Sequence, residues 1–139
     1  MKLDFSQKYA VRPLTAGDVD KILALCAENE QFYRYHPPMA TRESILADMT
    51  ALPPGTGVEN KHYLGFFDGD ALVAVLDLIE HYPQQNTAYI GFFMTKKERQ
   101  GCGLGTSLIG KLFDELRKEK FCRVRLAIDR GNPQSKAFW

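Results

Sequence analysis

The chain has 139 residues, 45% of them hydrophobic and 25% charged, which suits one domain with a core of its own and no need of disulfide staples. Eighteen Lys and Arg against seventeen Asp and Glu leave a formal charge of +1, which argues against nucleic acid or an anionic membrane as partner. Cys26, Cys102 and Cys122 are too scattered for a CxxC metal site or a disulfide framework. No apolar run is long enough for a signal peptide or a membrane span, so a cytoplasmic protein without a metal is expected.

Tyr9 to Leu14 reads as a short strand that meets Pro13. Thr15 and Asp18 form a variant capping box, and Val19, Ile22, Leu23 and Cys26 recur at helical spacing, which predicts a helix over residues 16–30. Residues 32–38 break it, because two consecutive prolines cannot continue a helix. Thr41 then caps a shorter helix with Ile45, Leu46 and Met49 on its apolar face, and Pro53, Pro54, Gly55 and Gly57 make a loop.

From Lys61 the period changes. Residues 61–67 and 71–82 are β-rich runs joined through Asp68-Gly69, a dipeptide suited to a primed hairpin turn, and residues 87–95 form a third run. The simplest arrangement of the three is an antiparallel meander. Leu104, Leu108, Leu112 and Leu116 recur every four residues, flanked by Ile109 and Phe113, and predict a long helix over residues 104–120. Residues 121–128 alternate as a strand. A helix between two strands implies a right-handed crossover and parallel pairing of the last two strands. Gly131 or Asn132 opens a final helix with Pro133 at its first position. The fold class is therefore α/β of the mixed α+β kind: one mixed sheet flanked by helices, a single domain over residues 1–139.

The feature that carries chemistry is Gln100-Gly101-Cys102-Gly103-Leu104-Gly105, set between a strand and the long helix. Glycines let the backbone approach a ligand, and the unpaired amides of a first helical turn favour an anion, so the combination makes a phosphate cradle. It lacks the Gly-Lys-Ser/Thr of a Walker A loop. It also lacks the G-x-G-x-x-G spacing and the βαβ setting of a dinucleotide fingerprint. A glycine-rich turn with no ligand is the alternative.

These residues resemble a known family. Gln100-x-x-Gly103-x-Gly105, between the strand IGFFMT and a leucine-striped helix, is similar to the acetyl-coenzyme A signature of the GNAT family of N-acetyltransferases. The opening VRPLTAGDVDKILAL resembles that family's first strand and helix, the hairpin LGFFDGDALVAVLDL its second and third strands, and Asn132 to Trp139 the stretch in which an asparagine precedes Phe-Tyr. Where the family often carries a tyrosine that acts as general acid, this chain has Trp139, whose indole N–H does not fill that part. Family members continue with further strands beyond this point, so the chain is expected to be a C-terminally truncated member.

The resemblance implies acetyl-CoA as acyl donor, with its pyrophosphate over the amides of Gln100, Gly101, Cys102, Gly103, Leu104, Gly105 and Thr106. It implies that the backbone of Phe93, Met94 and Thr95 pairs with the pantetheine amides as an added strand would, and that Asn132 binds the cofactor arm or caps the last helix. Lys96, Lys97 and Arg99 are placed to add a positive field or to be a solvated charge run. Transfer requires a deprotonated amine and a donor for the oxyanion. No Ser-His-Asp or Cys-His grouping is evident, so direct attack by the amine is preferred to a covalent Cys102. Asp77, on an otherwise apolar face with Val73, Val75 and Ile79, is one candidate base. Glu80 and Tyr89 are the others, beside a water relay. Tyr33, Tyr35 and His36, in the aromatic stretch before Pro37-Pro38, are implied to line the acceptor site.

The expected function is transfer of acetyl from acetyl-CoA to a primary amine of a small molecule or peptide. The alternative is a non-catalytic CoA-binding or regulatory module of the same fold. A homodimer is compatible with the family, and neither nucleic acid nor membrane is an expected partner.

Overall fold

Five strands and five α-helices succeed one another much as the periodicity predicts, in a chain of which the computed structural model describes Phe5, Ser6 and residues 8–139. Residues 1–4 and 7, part of the stretch read as lacking an apolar leader, lie outside the described residues. Strands β1 (Ala10–Pro13), β2 (Lys61–Asp68), β3 (Ala71–Glu80), β4 (Thr87–Thr95) and β5 (Arg123–Leu126) form one sheet in sequence order. The first four pair antiparallel, and β5 pairs parallel to β4. The helices are α1 (Val19–Ala27), α2 (Glu30–Tyr35), α3 (Arg42–Thr50), α4 (Leu104–Lys118) and α5 (Pro133–Phe138). The mixed α/β sheet, the meander and the parallel pair are those the sequence implies.

The sheet is apolar on both faces, so each face carries helices. Leu64, Phe66, Ala74, Leu76, Leu78, Ala88 and Ile90 pack against the leucine stripe of α4, where Leu112 is fully buried. On the other face Tyr63, Phe67, Leu72, Val75 and Met94 meet Val19, Ile22, Leu25 and Cys26 of α1 and Ile45 of α3.

Two bulges interrupt the alternation. Phe66 pairs with Ala74 and Phe67 with Leu72, which leaves Val73 as the extra residue and sends it to the α4 face rather than to the face of Val75. Asp77 pairs with Phe92 and Leu78 with Ile90, so Gly91 is the extra residue of β4. A bulge inverts the side-chain parity beyond it. Ala88 and Ile90 therefore face α4, whereas after Gly91 it is Phe93 that does so, and Phe92 and Met94 face α1.

Several expected boundaries shift. The helix expected over residues 16–30 is a 3-10 turn (Ala16–Asp18) followed by α1, which stops at Ala27, and the stretch expected to be a break is helical as α2. Asn29 separates the two at φ −96°, ψ 58°, outside helical values, and its side chain takes the Leu25 carbonyl of the last turn. Thr41 caps α3 as expected, its hydroxyl accepting from Ser44 N at 3.1 Å, but Leu46 points to solvent at 42% exposure. The hairpin loop is Gly69-Asp70 rather than Asp68-Gly69, since Asp68 still pairs with Ala71. Gly69 has a positive φ of 61° at the first central position and Asp70 does not, as in the II′ class of turn. Helix α4 ends at Lys118, and β5 is confined to four residues, with Phe121 in the core before it and Ile128 exposed after it.

The entry to α1 is held by charge. Asp18 accepts from Arg12 in a fork (2.9 and 2.8 Å), from Thr15 N (2.9 Å) and from the Thr15 hydroxyl (3.3 Å). The Arg12 guanidinium holds the Asp18 carboxyl well below the ordinary carboxylate range. A carboxyl depressed on folding contributes stability above its unfolded pKa and loses it on acidification. Asp18→Ala is expected to cost about 2 kcal/mol near neutrality, as loss of charge-assisted hydrogen bonds does. Urea midpoints of wild type and variant should converge as pH falls below the ordinary 3.8; a gap independent of pH would contradict the assignment.

Candidate functional site

Strands β4 and β5 run together only from Thr87–Ile90 against Arg123–Leu126. Beyond the bulge, residues Phe92 to Thr95 pair with β3 alone among the described residues, so their outer backbone edge faces an opening in the sheet. A cleft of about 380 Å³ lies there. Its floor is Phe93, Met94 and Thr95, one rim is Gln100, Gly101, Gly103, Gly105 and Thr106, and the others are Asn29 with Phe32 and Gln134, Ser135, Phe138 and Trp139.

The glycine rim has the geometry of an anion cradle. Gly101 (φ 79°) and Gly103 (φ 86°) are in the left-handed region, and no neighbour stands within 4 Å of where their Cβ atoms would be. Gly103 is the N-cap of α4, whose first backbone bond runs from Ser107 N to Gly103 O at 2.9 Å. The amides of Leu104, Gly105 and Thr106 precede it and lie at the positive end of a fifteen-residue helix. Gly105 has another role: a Cβ there would come within 2.8 Å of Phe138 Cε1, so glycine lets α5 close on α4. Phe138 in turn stacks on Phe93, ring centroids 5.9 Å apart.

A side-chain network ties this rim together. Gln100 Nε2 donates to Asn29 Oδ1 (2.6 Å) and to the Thr95 carbonyl (3.0 Å), and Gln134 Nε2 donates to Gln100 Oε1 (2.7 Å). Two of the three basic residues before the rim are engaged with acids, Arg99 with Asp68 at 2.9 Å and Lys96 with Glu98 at 3.3 Å, while Lys97 donates its backbone N–H to Glu28 Oε1 at 2.9 Å.

Of the expected cofactor residues, Phe93, Met94, Thr95, Gln100, Gly101, Gly103, Gly105 and Thr106 line the cleft. Leu104 offers only its backbone, because its side chain is in the core. The exposed Cys102 thiol turns to the Arg99 carbonyl at 2.7 Å. Asn132 is 2% exposed and off the cleft wall; its Oδ1 caps α5 by accepting from Gln134 N (3.1 Å) and Ser135 N (3.2 Å), while its Nδ2 has no partner among the described residues.

The acid–base candidates are dispersed. Asp77 faces Tyr63 and Phe92 across the strands and lies beside Gly91, whose Cβ would stand 3.1 Å from Asp77 Oδ2. Lys61 Nζ is 2.8 Å from Asp77 Oδ1, and both side chains are largely buried. Burial raises the Asp77 carboxyl, against the pull of the Lys61 ammonium. Glu80 is bound to His62 and opposes Ala88, roughly 17 Å of strand from Phe93 at the usual rise. Tyr89 opposes Ile79 and packs on Tyr82, ring centroids 5.5 Å apart. None of the three lines the cleft.

The aromatic stretch divides. Tyr33 is buried in the α1 core, where desolvation pushes its phenol well above the ordinary range. His36 Nδ1 meets Asp129 Oδ1 at 2.8 Å, and the Tyr35 ring is 3.9 Å from the position of a Gly131 Cβ, so the end of α2 leans on the segment after β5. Phe32, not among the residues expected to line the acceptor site, is the member that reaches the cleft, edge-on to Phe92 at 6.0 Å. Asn29, Gln134 and Ser135 were missed as well; no motif spacing points to Asn29.

The family model described as the acetyltransferase (GNAT) family matches residues 22–139. The chain belongs to the GNAT family. This makes it an acyltransferase that uses acetyl-CoA, and the open β4 edge beside a glycine cradle fits that molecule. No curated protein matches the chain in sequence. Among solved structures it is similar to an acetyltransferase from Thermus thermophilus, with 21% identity and a TM-score of 0.79 over 99% of this chain and 85% of that one. It is also similar to the PaiA N-acetyltransferase from Thermoplasma acidophilum in complex with coenzyme A, with 17% identity and a TM-score of 0.68 over 94% and 85% of the two chains. A third likeness is to the aminoglycoside acetyltransferase meta-AAC0020 from an uncultured soil metagenomic sample in complex with sisomicin, at 17% identity and a TM-score of 0.60, covering 94% and 84%. At these identities the likenesses speak for the fold. No helix among the described residues is long and apolar enough to cross a membrane.

Proposed function

We propose that this GNAT acyltransferase is an N-acetyltransferase that moves the acetyl group to a primary amine of a small molecule or peptide by direct attack of the amine. The observation that carries the reading is the outer edge of β4 from Phe92 to Thr95, which no strand pairs with among the described residues and which leads into the turn at Gly101–Gly105. Acetyl-CoA, when bound, supplies an acetyl thioester already activated for attack. Phe93, Met94 and Thr95 offer backbone groups to its amides in the manner of strand addition. The amides of Gly103 to Thr106 at the head of α4 suit its phosphates. Phe32, Phe93, Phe138 and Trp139 wall the cleft with apolar surface, which keeps water from the thioester.

Among the candidate bases, Asp77 has the best position. It adjoins the bulge at Gly91, where the open edge begins, whereas Glu80 and Tyr89 lie farther back along the strands. In this reading Asp77 takes the proton of the incoming ammonium, directly or through water, and Lys61 keeps its carboxyl ionised against burial. Cys102, with its thiol turned to the Arg99 carbonyl, takes no covalent part. The similarity to a PaiA N-acetyltransferase and to an aminoglycoside acetyltransferase supports an amine as acceptor.

The test is release of free thiol from acetyl-CoA in the presence of polyamines, aminoglycosides and peptides with free N-termini. Amine-dependent release above the hydrolytic background is expected with at least one class. Saturable binding of acetyl-CoA with no amine-dependent release in any class would count against N-acetylation.

A further inference from the structure

We propose that Asn29 is a positioning residue for acetyl-CoA. From the junction of α1 and α2 it holds Gln100, and through Gln100 the turn Gly101–Gly105, against the end of β4. The proposal rests on the acetyl-CoA reading of the cleft.

Asn29 is 6% exposed, and every hydrogen-bonding group of its amide is used. Nδ2 donates to the Leu25 carbonyl (2.8 Å) and the Thr95 carbonyl (3.2 Å), and Oδ1 accepts from Gln100 Nε2 at 2.6 Å. Closing α1 asks for less than this, because the backbone amide of Asn29 already bonds the Cys26 carbonyl at 3.0 Å. Two of the three side-chain bonds leave the helix for segments 66 and 71 residues away, and both of those segments line the cleft. The arrangement needs a carboxamide: a carboxylate has no donor for the two carbonyls, and an apolar residue takes from Gln100 the shorter of its two acceptors and leaves it only the Thr95 carbonyl.

The turn that Asn29 restrains contains two glycines at positive φ, the residues with the most conformational freedom to lose. Tethered through Gln100 at one end and by α4 at the other, it meets phosphate already ordered. Untethered, it must be ordered by the ligand, and affinity falls by that cost. The side chain acts before the chemical step, so the effect belongs to binding of acetyl-CoA rather than to turnover.

The experiment is a double-mutant cycle on the full chain. Dissociation constants for acetyl-CoA are measured by calorimetry for wild type, Asn29→Ala, Gln100→Ala and the double variant. Asn29→Ala is expected to weaken binding about tenfold and Gln100→Ala, which also gives up the bonds to Thr95 and Gln134, at least as much; the double change should be little worse than Gln100→Ala alone, since Asn29 acts through Gln100. In steady state KM for acetyl-CoA should rise by more than kcat falls. Ile45→Val in the α3 core is the comparator for a purely structural loss; it should lower the melting temperature and leave the dissociation constant unchanged. If Asn29→Ala does not fold, Asn29→Ser takes its place in the cycle. Wild-type affinity in the Asn29 variant, or strictly additive effects, overturns the proposal. Absence of binding by wild type overturns the acetyl-CoA reading beneath it.

Discussion

Gly103→Val is expected to abolish measurable binding of acetyl-CoA, raising the dissociation constant roughly a hundredfold or more, about 2.7 kcal/mol, in a chain that still folds. Gly103 has φ 86° and ψ 1° at the N-cap of α4. A β-branched residue in that region is strained by ~1–3 kcal/mol. The peptide either keeps its conformation at that cost or rotates to negative φ. Rotation re-aims the amides of the first helical turn, and retention sets a branched side chain over the cradle; both outcomes remove the anion site. No protein atom lies within 4 Å of the Cβ position, so the core is untouched. The control is Gly110→Ala, in the same helix, also free of neighbours within 4 Å and without positive φ. There a gain of about 0.5–1 kcal/mol in helix stability is expected, with unchanged affinity. Calorimetric titration decides between them: wild-type affinity in Gly103→Val would show that this turn does not hold the pyrophosphate.

The second large effect is expected at Asp77. If it accepts the proton of the acceptor amine, Asp77→Asn lowers kcat/KM for that amine by about 10²-fold or more and leaves acetyl-CoA affinity close to wild type. The pH profile carries the stronger evidence. Burial raises the Asp77 carboxyl and the Lys61 ammonium, 2.8 Å away, lowers it. Lys61→Met removes only the lowering influence, so the acidic limb of kcat/KM should move to higher pH. A limb unmoved by Lys61→Met, or full activity in Asp77→Asn, assigns the base elsewhere. Both single changes also strand a largely buried charge, at a cost of ~3 kcal/mol. The double change Lys61→Met with Asp77→Leu strands none and should recover much of that loss in urea unfolding while remaining inactive.

The linkage of Asp77 to folding has its own sign. A carboxyl raised on folding stabilises the native state fully below its unfolded pKa, and this contribution is lost as pH rises through the folded value. It therefore opposes Asp18, whose contribution grows with pH.

The elements legible in the sequence were those with a sustained apolar pattern. The four leucines of α4 appear where the pattern puts them because burial of one stripe outweighs local preference, and β4 because its apolar run is bounded by turn residues, although the bulge at Gly91 gave no sign of itself. The glycine turn was legible for a different reason: glycine spacing reports backbone conformation, and Gly101 and Gly103 do carry positive φ. Illegible were features that depend on where distant segments meet. Asn29 reads as an ordinary helical residue until Thr95 and Gln100 are brought beside it. Tyr33 and Phe32 are adjacent aromatics of similar size, yet one is sealed in the core and the other reaches the cleft. Asp77 was legible as an anomaly on an apolar face, but its partner Lys61 comes from the neighbouring strand and has no marker in the sequence.

The partial pairing of β4 divides one strand between two tasks. Ala88 to Ile90 are closed on both sides by protein, while Phe92 to Thr95 are closed by β3 alone among the described residues. A bare strand edge invites unwanted pairing with other chains. A molecule bound along it would cap that edge and keep it from such pairing. At a hundredfold excess over its dissociation constant the ligand would add about 2.7 kcal/mol to the folded state. If acetyl-CoA binds along this edge as proposed, the donor would complete the sheet there as well as supply the acetyl group.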